Sequence, residues 1–279
     1  MTKRLDRLKT PLVFDLKVYD ELNAARGAIV SSLIAELGGP VGLRTAVDVG
    51  CGAGYFSGLL KSLGLEVTGV DGRPQNVEVS KHRQPGVRFE RYDAEDPALR
   101  VLGRFDLVLC FGLLYHLENP LLAMRHLHAL TGKLLLVEVV VFPGEEPTMA
   151  LVDEGAGDDQ GLNYVAFYPT EACLQKMLYR AGFLHVYKLA VMPNHPGYRK
   201  SRRLPQVRTM LAASQEAISS HSLKQVPEPS VCVAPWDARS VAAYKNSFEK
   251  LRRFAKRPIQ QKIESIERLI KKRGWLRGD

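Results

Sequence analysis

Glycine residues at a fixed spacing form the first chemically informative segment, Asp48-Val49-Gly50-Cys51-Gly52-Ala53-Gly54. It follows the short β-branched run Thr45–Val49, and a helical pattern begins at Tyr55. Glycine lets a backbone turn tightly and approach a ligand without a Cβ clash, and the first N–H groups of the next helix are free. The segment predicts a ligand-binding turn between a strand and a helix, although NAD-binding folds and incidental turns share this glycine spacing.

Asp71 is the second informative residue. It ends the apolar run Leu65–Val70 and lies 23 positions after Asp48. An acidic side chain at the tip of a second strand can accept hydrogen bonds from both hydroxyls of a ribose. Asp71-Gly72 can also be a simple turn, but its position relative to the glycine segment favours a nucleoside ligand.

Three features distinguish this pattern from the Gly-x-Gly-x-x-Gly of dinucleotide-binding proteins. Asp48 precedes Gly50 by two residues. The third predicted strand is followed by Asp93-Ala94-Glu95-Asp96, where a carboxylate can meet the exocyclic amine of adenine. The fourth predicted strand continues into Phe111-Gly112-Leu113-Leu114-Tyr115-His116.

His116 is the residue best suited to move a proton. A histidine has a pKa near neutrality and can remove the proton of an oxygen nucleophile. Its position just beyond the fourth strand is on the rim where open α/β sheets bind ligands. We expect His116 to be a base or a substrate anchor, with a purely structural hydrogen-bonded role as the alternative. His126 and His128 lie two apart on a predicted helix and face apart, so no metal site is expected.

Hydrophobic periodicity indicates which elements position these residues. A helical lead-in with one apolar face runs from Val18 to Leu37 and ends at Gly38-Gly39-Pro40. Beyond it strands alternate with helices, and runs that are apolar on both faces suit a parallel sheet covered on each side. The predicted class is a doubly wound α/β fold, with strands at Thr45–Val49, Leu65–Val70, Val87–Arg91, Phe105–Phe111, Lys133–Phe142, Phe183–Val191 and about 206–213, and helices at Tyr55–Leu63, Asn76–Arg83, Asn119–Leu130 and Pro169–Arg180.

The segment Pro143–Asn163 interrupts the alternation. It is rich in glycine, proline and acidic residues, and a loop of this length in a compact domain is usually functional or mobile. Its acidic residues can hold a hydroxyl-rich substrate or a divalent metal, but we favour a solvated, mobile lid. The acidic residues are Asp153, Glu154, Asp158 and Asp159, and the aromatic residues that can belong either to a lid or to the core are Phe14, Tyr19 and Tyr164.

Composition excludes several classes of protein. The 279 residues are 46% hydrophobic, which is too apolar for a disordered chain. No apolar run is long enough for a membrane span, the N-terminus lacks the apolar stretch of a secretory signal, and the four cysteines lie far apart. We therefore expect a soluble cytoplasmic protein without a disulfide framework or zinc site.

Charge is concentrated at the C-terminal end. The whole chain carries a formal charge of +9, and residues 215–279 hold 14 basic against 7 acidic side chains. We therefore divide the chain into a helical lead-in or lid at 1–40, a main domain at 41–214 with an insertion at 143–168, and a basic helical extension at 215–279.

The basic extension has three interpretations. Its apolar stripe of Ile259, Ile263, Ile266 and Ile270 can pack against the domain or a second subunit, which we favour. The stripe can also insert into an anionic membrane surface. Nucleic-acid binding is less favoured, because the basic residues follow no recognised binding motif.

Taken together, these motifs resemble the class I S-adenosylmethionine-dependent methyltransferases over roughly residues 30–214. Asp48–Gly54 matches the glycine motif, Asp71 the ribose-binding acid, Asp93 the adenine-contacting acid, and Phe105–His116 the strand and lip beyond it. The resemblance implies a Rossmann-like seven-stranded sheet with helices on both faces and S-adenosylmethionine as cofactor. The cofactor-binding residues that it implies are Asp48, Gly50, Cys51, Gly52, Gly54, Asp71, Gly72, Asp93, Ala94 and Phe111.

A narrower resemblance concerns the acceptor. Phe111–Pro120, Phe167–Thr170 and Ala181–Phe183 are similar to the branch that includes tRNA wobble-uridine carboxymethyltransferases, and methyltransferases of sugars and small metabolites share the pattern. We predict O-methylation of a sugar, a glycan precursor or another small hydroxylated metabolite, with plain S-adenosylmethionine as donor. The alternatives are an RNA-modifying methyltransferase and a non-catalytic cofactor-binding scaffold subunit.

Overall fold

The computed structural model describes residues 13–155, 157, 159–199 and 206–229. The chain divides into two compact units, Met1–Pro229 and Ser230–Asp279. The second unit, with the isoleucine stripe, lies outside the described residues, as do Asp158 and residues 200–205. The three interpretations of the basic extension therefore stay predictions.

The predicted lead-in helix is present as α1, Lys17–Leu37. Its buried residues recur at three- and four-residue steps, and Leu22, Val30, Leu33 and Leu37 face the core. A wider helical turn at Gly38–Gly42 then leads into the first strand.

Eight strands form the main sheet within the described residues, one more than the resemblance implies. The strands are β1 Thr45–Val49, β2 Glu66–Asp71, β3 Arg88–Arg91, β4 Phe105–Phe111, β5 Thr131–Val141, β8 His185–Leu189, β9 Val207–Ser214 and β10 Leu223–Val226. Their order in the sheet is β10-β8-β9-β5-β4-β1-β2-β3. The pairs among β1 to β5 are parallel, whereas β8, β9 and β10 join the sheet by antiparallel pairing.

Helices cover both faces of this sheet, as the apolar strands predict. Successive residues of β4 show the two faces, because Leu107 and Leu109 belong to one buried cluster and Val108 and Cys110 to the other. The first cluster also holds residues of α1, of α2 (Tyr55–Ser62) and of α3 (Pro74–Arg83). The second holds residues of α4 (Pro120–Leu130) and α5 (Glu171–Ala181), which confirms the α/β class.

Two regions differ from the sequence prediction. The segment predicted as a lid without regular structure contains β6, Met149–Asp153, which pairs with β7, Val165–Pro169, as a separate antiparallel hairpin. β6 was missed because no residue of it is fully buried, which leaves no clear alternation in the sequence. Likewise β10 lies in the stretch predicted to be helical; its four residues form a sheet edge on β8, too short to show a period.

The strand order decides where a ligand can bind. The chain runs from β1 through β2 to β3 on one side and then returns to place β4 on the other side of β1. Open α/β sheets bind ligands outside the carboxyl ends of the strands at such a switch point. No helix of the described part of the chain is long and apolar enough to span a bilayer.

Candidate functional site

A pocket opens at the carboxyl ends of β1, β2 and β4. Its wall combines the glycine turn after β1, the segments after β2, β3 and β4, the loop of the β6–β7 hairpin and the start of α1. Eight of the ten predicted cofactor-binding residues line it: Gly50, Cys51, Gly52, Asp71, Gly72, Asp93, Ala94 and Phe111.

The glycine turn brings bare backbone to the pocket. Gly50 and Gly52 have φ angles of 78° and 53°, a region that L side chains rarely adopt. A Cβ at Gly50 would also lie 2.9 Å from the Leu113 side chain. The turn is hydrogen-bonded to β2, because the backbone N–H groups of Gly50 and Cys51 both donate to the carbonyl oxygen of Val70.

Asp71 is fastened to this turn. Its Oδ2 accepts a hydrogen bond of 2.9 Å from the backbone of Gly52. Its Oδ1 accepts from the backbone of Arg73 at 2.8 Å and from Asn76 Nδ2 at 3.1 Å. Burial raises the pKa of Asp71, and these donors act against that shift by stabilising the carboxylate. The geometry keeps an acceptor carboxylate at the tip of β2, within the pocket wall.

The other two predicted residues, Asp48 and Gly54, are not in the pocket wall. Asp48 is buried behind the turn, where Oδ2 accepts a 2.7 Å hydrogen bond from Ser57 Oγ. Burial raises the pKa of Asp48 to about 6. Gly54 starts α2 with a φ of 84°, against Phe89 and Ser80. Both residues therefore support the turn from outside the pocket. Their spacing in the sequence could not distinguish such supporting residues from residues of the pocket wall.

His116 ends a short turn, Leu114–His116, after β4, and its side chain lines the pocket. Its Nδ1 lies 2.8 Å from Oε2 and 2.7 Å from Oε1 of Glu154. Burial lowers the pKa of His116, while the Glu154 carboxylate opposes that shift. A histidine with Nδ1 occupied and a lowered pKa has Nε2 left to accept a proton.

Two acidic residues of the loop, Glu154 and Asp159, have protein partners instead of being fully solvated, whereas Asp153 is exposed as expected. The Glu154 side chain is only 3% exposed. Asp159 Oδ2 accepts a 2.5 Å hydrogen bond from Tyr19 Oη, which ties the loop to α1. Burial, together with Asp159, raises the pKa of Tyr19. For these two residues the predicted solvation is wrong, because α1 and the turn after β4 supply partners that are remote in sequence.

The three candidate lid aromatic residues separate into two groups. Phe14 and Tyr19 line the pocket, and their rings pack edge to face with centroids 5.8 Å apart. Tyr164 is 58% exposed, and its φ of 59° is the one positive value among the described non-glycine residues. Tyr164 is therefore neither a pocket residue nor a core residue.

A buried charge network beside the pocket was missed from the sequence. Glu138 of β5 is completely buried, and its Oε2 accepts a 2.9 Å hydrogen bond from Arg26 Nη2. Its Oε1 accepts hydrogen bonds of 3.1 Å from Tyr198 Oη and from Arg208 Nη1. Burial would raise the pKa of Glu138, but the two guanidinium groups overcome that effect and lower it.

This network carries two cations and one anion, and both Arg26 and Arg208 line the pocket. The network itself therefore has one more positive than negative charge. Glu138 itself could have indicated the network from the sequence, because a carboxylate within the apolar run of a buried strand must be paired with a cation or hydrogen-bond donors.

No group of three or more His, Cys, Asp or Glu side chains in the described ranges is arranged to hold a metal ion. His126 is buried, with Nδ1 3.0 Å from the carbonyl oxygen of Ala94, whereas His128 contacts Gln215. The two side chains thus have separate partners.

The pocket residues suit S-adenosylmethionine. Gly50 and Gly52 present bare backbone to the pocket, which the amino-acid part of the cofactor can approach closely. A Cβ at Gly50 would lie 2.9 Å from Leu113, whereas a Cβ at Gly52 would lie 3.5 Å from Phe14, an ordinary contact. Asp71 and the exposed Asp93 both line the pocket, so their predicted contacts with ribose hydroxyls and with the adenine amine are compatible with its geometry.

Comparisons with known proteins agree with this fit. A family model described as a methyltransferase domain matches residues 22–185. The chain is 31% identical over 159 residues to a tRNA U34 carboxymethyltransferase of Wolinella succinogenes, covering 53% of this chain and 54% of that protein. It is 33% identical over 119 residues to a ubiquinone biosynthesis O-methyltransferase of Colwellia psychrerythraea, covering 39% and 48%. The chain thus spans about half the length of these curated relatives.

Solved structures share the fold at low identity. The N-terminal domain of EvdMO1, crystallised with S-adenosylhomocysteine and D-fucose, superposes with a TM-score of 0.58 at 20% identity over 76% of this chain and 94% of that one. Magnesium protoporphyrin IX methyltransferase from Synechocystis, with S-adenosylhomocysteine bound, gives 0.51 at 17% identity over 77% and 95%. Because the family match covers more than half of the chain, the protein belongs to the methyltransferase-domain family, and its sheet has the fold of the class I S-adenosylmethionine-dependent methyltransferases.

Proposed function

We propose that the enzyme methylates an oxygen of a small hydroxylated acceptor, such as a sugar, a glycan precursor or another metabolite, with His116 as the general base. The observation that carries this proposal is the placement of His116 in the pocket wall with Nδ1 bound to Glu154. An oxygen nucleophile must lose its proton as it is methylated, and Nε2 is the ring nitrogen left to take it. Relatives named O-methyltransferases support oxygen as the acceptor atom.

The chain's residues would act mainly by alignment. S-adenosylmethionine supplies a methyl group that its sulfonium already activates. The backbone of Gly50, Cys51 and Gly52 would hold the amino-acid part, and Asp71 would bind the ribose hydroxyls. His116 Nε2 would accept the proton of the acceptor hydroxyl as its oxygen receives the methyl group that bound S-adenosylmethionine would supply. Holding the reacting atoms in line is the largest contribution that such a site can make.

The charge state of His116 is consistent with this role. Burial lowers its pKa, so the imidazole is neutral at pH 7 and able to accept a proton. Activity is therefore expected to fall at acidic pH, below that lowered pKa, where the imidazole is already protonated.

A second candidate is the modification of a tRNA wobble uridine. It is favoured by relatives named tRNA U34 carboxymethyltransferases, which are about 30% identical to this chain. The presence of Arg26 and Arg208 in the pocket wall supports it further, because guanidinium groups can bind a carboxylate carried with the transferred group.

One set of experiments separates these functions. Thermal unfolding is measured with S-adenosylhomocysteine and with NAD as the control ligand. Transfer of a labelled methyl group from S-adenosylmethionine is then tested on sugars and sugar nucleotides, on phenols, and on total tRNA. Label in a small acceptor that is lost in His116→Ala but retained in His82→Ala, an exposed histidine of α3, supports the proposal.

The other outcomes are equally informative. Label only in tRNA, weakening steeply with added salt, supports the second candidate. Stabilisation by S-adenosylhomocysteine without transfer to any acceptor favours a cofactor-binding scaffold and contradicts the proposal. Undiminished transfer by His116→Ala contradicts the assignment of the base.

A further inference from the structure

We propose that Glu154 is a positioning residue that keeps the proton of neutral His116 on Nδ1, so that Nε2 faces the acceptor as the free base. This inference rests on the proposed function of His116. Glu154 lies in a loop and belongs to none of the sequence motifs described above.

The contact between the two side chains is close and shielded from solvent. Both carboxylate oxygens lie within 2.8 Å of Nδ1. The side chains of His116 and Glu154 are 10% and 3% exposed. A carboxylate can only accept a hydrogen bond, so a neutral imidazole in this arrangement must carry its proton on Nδ1.

The loop backbone fixes the carboxylate. Gly161 donates a 2.9 Å hydrogen bond from its backbone N–H to the same Oε2 that faces Nδ1. A Cβ at Gly161 would lie 2.6 Å from the carbonyl oxygen of His116, so only glycine lets the loop pack this closely. The backbone of the loop therefore touches both partners and holds their separation.

Two anchors hold the loop in turn. The backbone N–H of Glu154 donates a 2.8 Å hydrogen bond to Tyr164, which extends the β6–β7 pairing by one step. Arg73, two residues after Asp71, donates from Nη2 to the carbonyl oxygen of Gln160 at 2.8 Å. The loop that carries Glu154 is thus hydrogen-bonded both to the β6–β7 hairpin and to Arg73, which follows Asp71 in the pocket wall.

The charges around His116 are mixed. Glu154 and Asp159 favour its protonated form, whereas burial and Arg208 disfavour it. The ring of Tyr115 packs at 4.1 Å between centroids and adds no charge. Glu154 thus also stabilises the imidazolium that forms when Nε2 accepts a proton, as a buried acid does for the base of a catalytic triad.

The tautomer can be measured without knowing the acceptor. The whole chain, labelled with nitrogen-15 at histidine and bound to S-adenosylhomocysteine, is studied by long-range proton–nitrogen correlation, with the His116 signals identified by their loss in His116→Asn. We expect the proton on Nδ1 in the wild type. Glu154→Gln keeps an accepting oxygen and should keep this tautomer while lowering the His116 pKa, because the opposing charge is gone.

Glu154→Ala removes the acceptor and should shift the proton toward Nε2. The matched control is Asp153→Asn, an exposed carboxylate one residue earlier, which should change neither the tautomer nor the pKa. Stabilisation by S-adenosylhomocysteine shows that each variant is folded. A wild-type proton on Nε2, or a Glu154→Ala spectrum identical to the wild type, overturns the inference. Failure of the proposed function appears separately, as methyl transfer that His116→Ala leaves unchanged.

Discussion

Arg26 and Glu138 join the lead-in helix to the centre of the sheet. Nη2 of Arg26 on α1 donates a 2.9 Å hydrogen bond to Oε2 of Glu138 on β5, 112 positions later in the chain. Arg208 of β9 binds the same carboxylate, so one buried anion holds three elements around the pocket. The lead-in helix is thereby part of the site.

Breaking this network should cost much of the protein's stability. Glu138→Gln leaves the buried guanidinium group of Arg26 and the half-buried one of Arg208 without a counter-charge, and removing one partner of a buried pair costs about 3–5 kcal/mol. The measurement is the free energy of unfolding from denaturant titration. Glu21→Gln, which removes the exposed pair with Lys17 on α1, should change it little. Equal effects of the two substitutions would contradict the role of the network.

Removing the buried charge of Asp48 should stabilise the protein above neutral pH. The pKa of Asp48 in the folded protein, about 6, lies above the ordinary value of 3.8, so the folded state disfavours the ionised carboxylate. The contribution of Asp48 to the free energy of unfolding therefore falls as the pH rises from about 4 to about 6. Asp48→Asn keeps an acceptor for Ser57 and should add up to about 3 kcal/mol at pH 8, with the gain disappearing below about pH 4.

Asp48→Asn also tests whether Asp48 contacts the cofactor. Because Asp48 lies outside the pocket wall, Asp48→Asn should keep its stabilisation by S-adenosylhomocysteine. A loss of that stabilisation would show that Asp48 acts on the ligand directly.

Asp71→Ala should abolish the effect of the ligand on stability. A ligand at 100 times its dissociation constant adds about 2.7 kcal/mol to the wild type, and this variant lacks the proposed ribose acceptor. Thermal unfolding with and without S-adenosylhomocysteine measures the difference. Asp153→Ala, on the exposed face of β6, is the control and should respond as the wild type does. A full response by Asp71→Ala would contradict the ribose assignment.

Glycine at position 50 is required for space as well as for conformation. Gly50→Ala forces alanine into a φ of 78° and brings its Cβ to 2.9 Å from Leu113, so we expect a loss of about 2–4 kcal/mol and weaker S-adenosylhomocysteine binding. Gly64→Ala is the matched control, because φ is 89° there but no atom lies within 4 Å. It should cost about 1–2 kcal/mol and leave ligand binding intact. Calorimetric titration and denaturant unfolding measure the two effects.

Local patterns determined the fold class and located eight residues of the pocket wall. Strand and helix periods, the glycine turn at Gly50–Gly54 and the acid at Asp71 depend on residues close together in sequence, so their structural meaning can be derived from it. His116 was located for the same reason, since it directly follows the run of β4.

Tertiary structure decided the partners. Glu154 reaches His116 across 38 positions, and Asp159 reaches Tyr19 across 140, because an unexpected hairpin folds its loop over the pocket. A carboxylate in a Gly-rich loop has the same local sequence whether water or a buried donor satisfies it. Which of these occurs depends on the distant elements packed around it, and spacing along the chain carries no information about them.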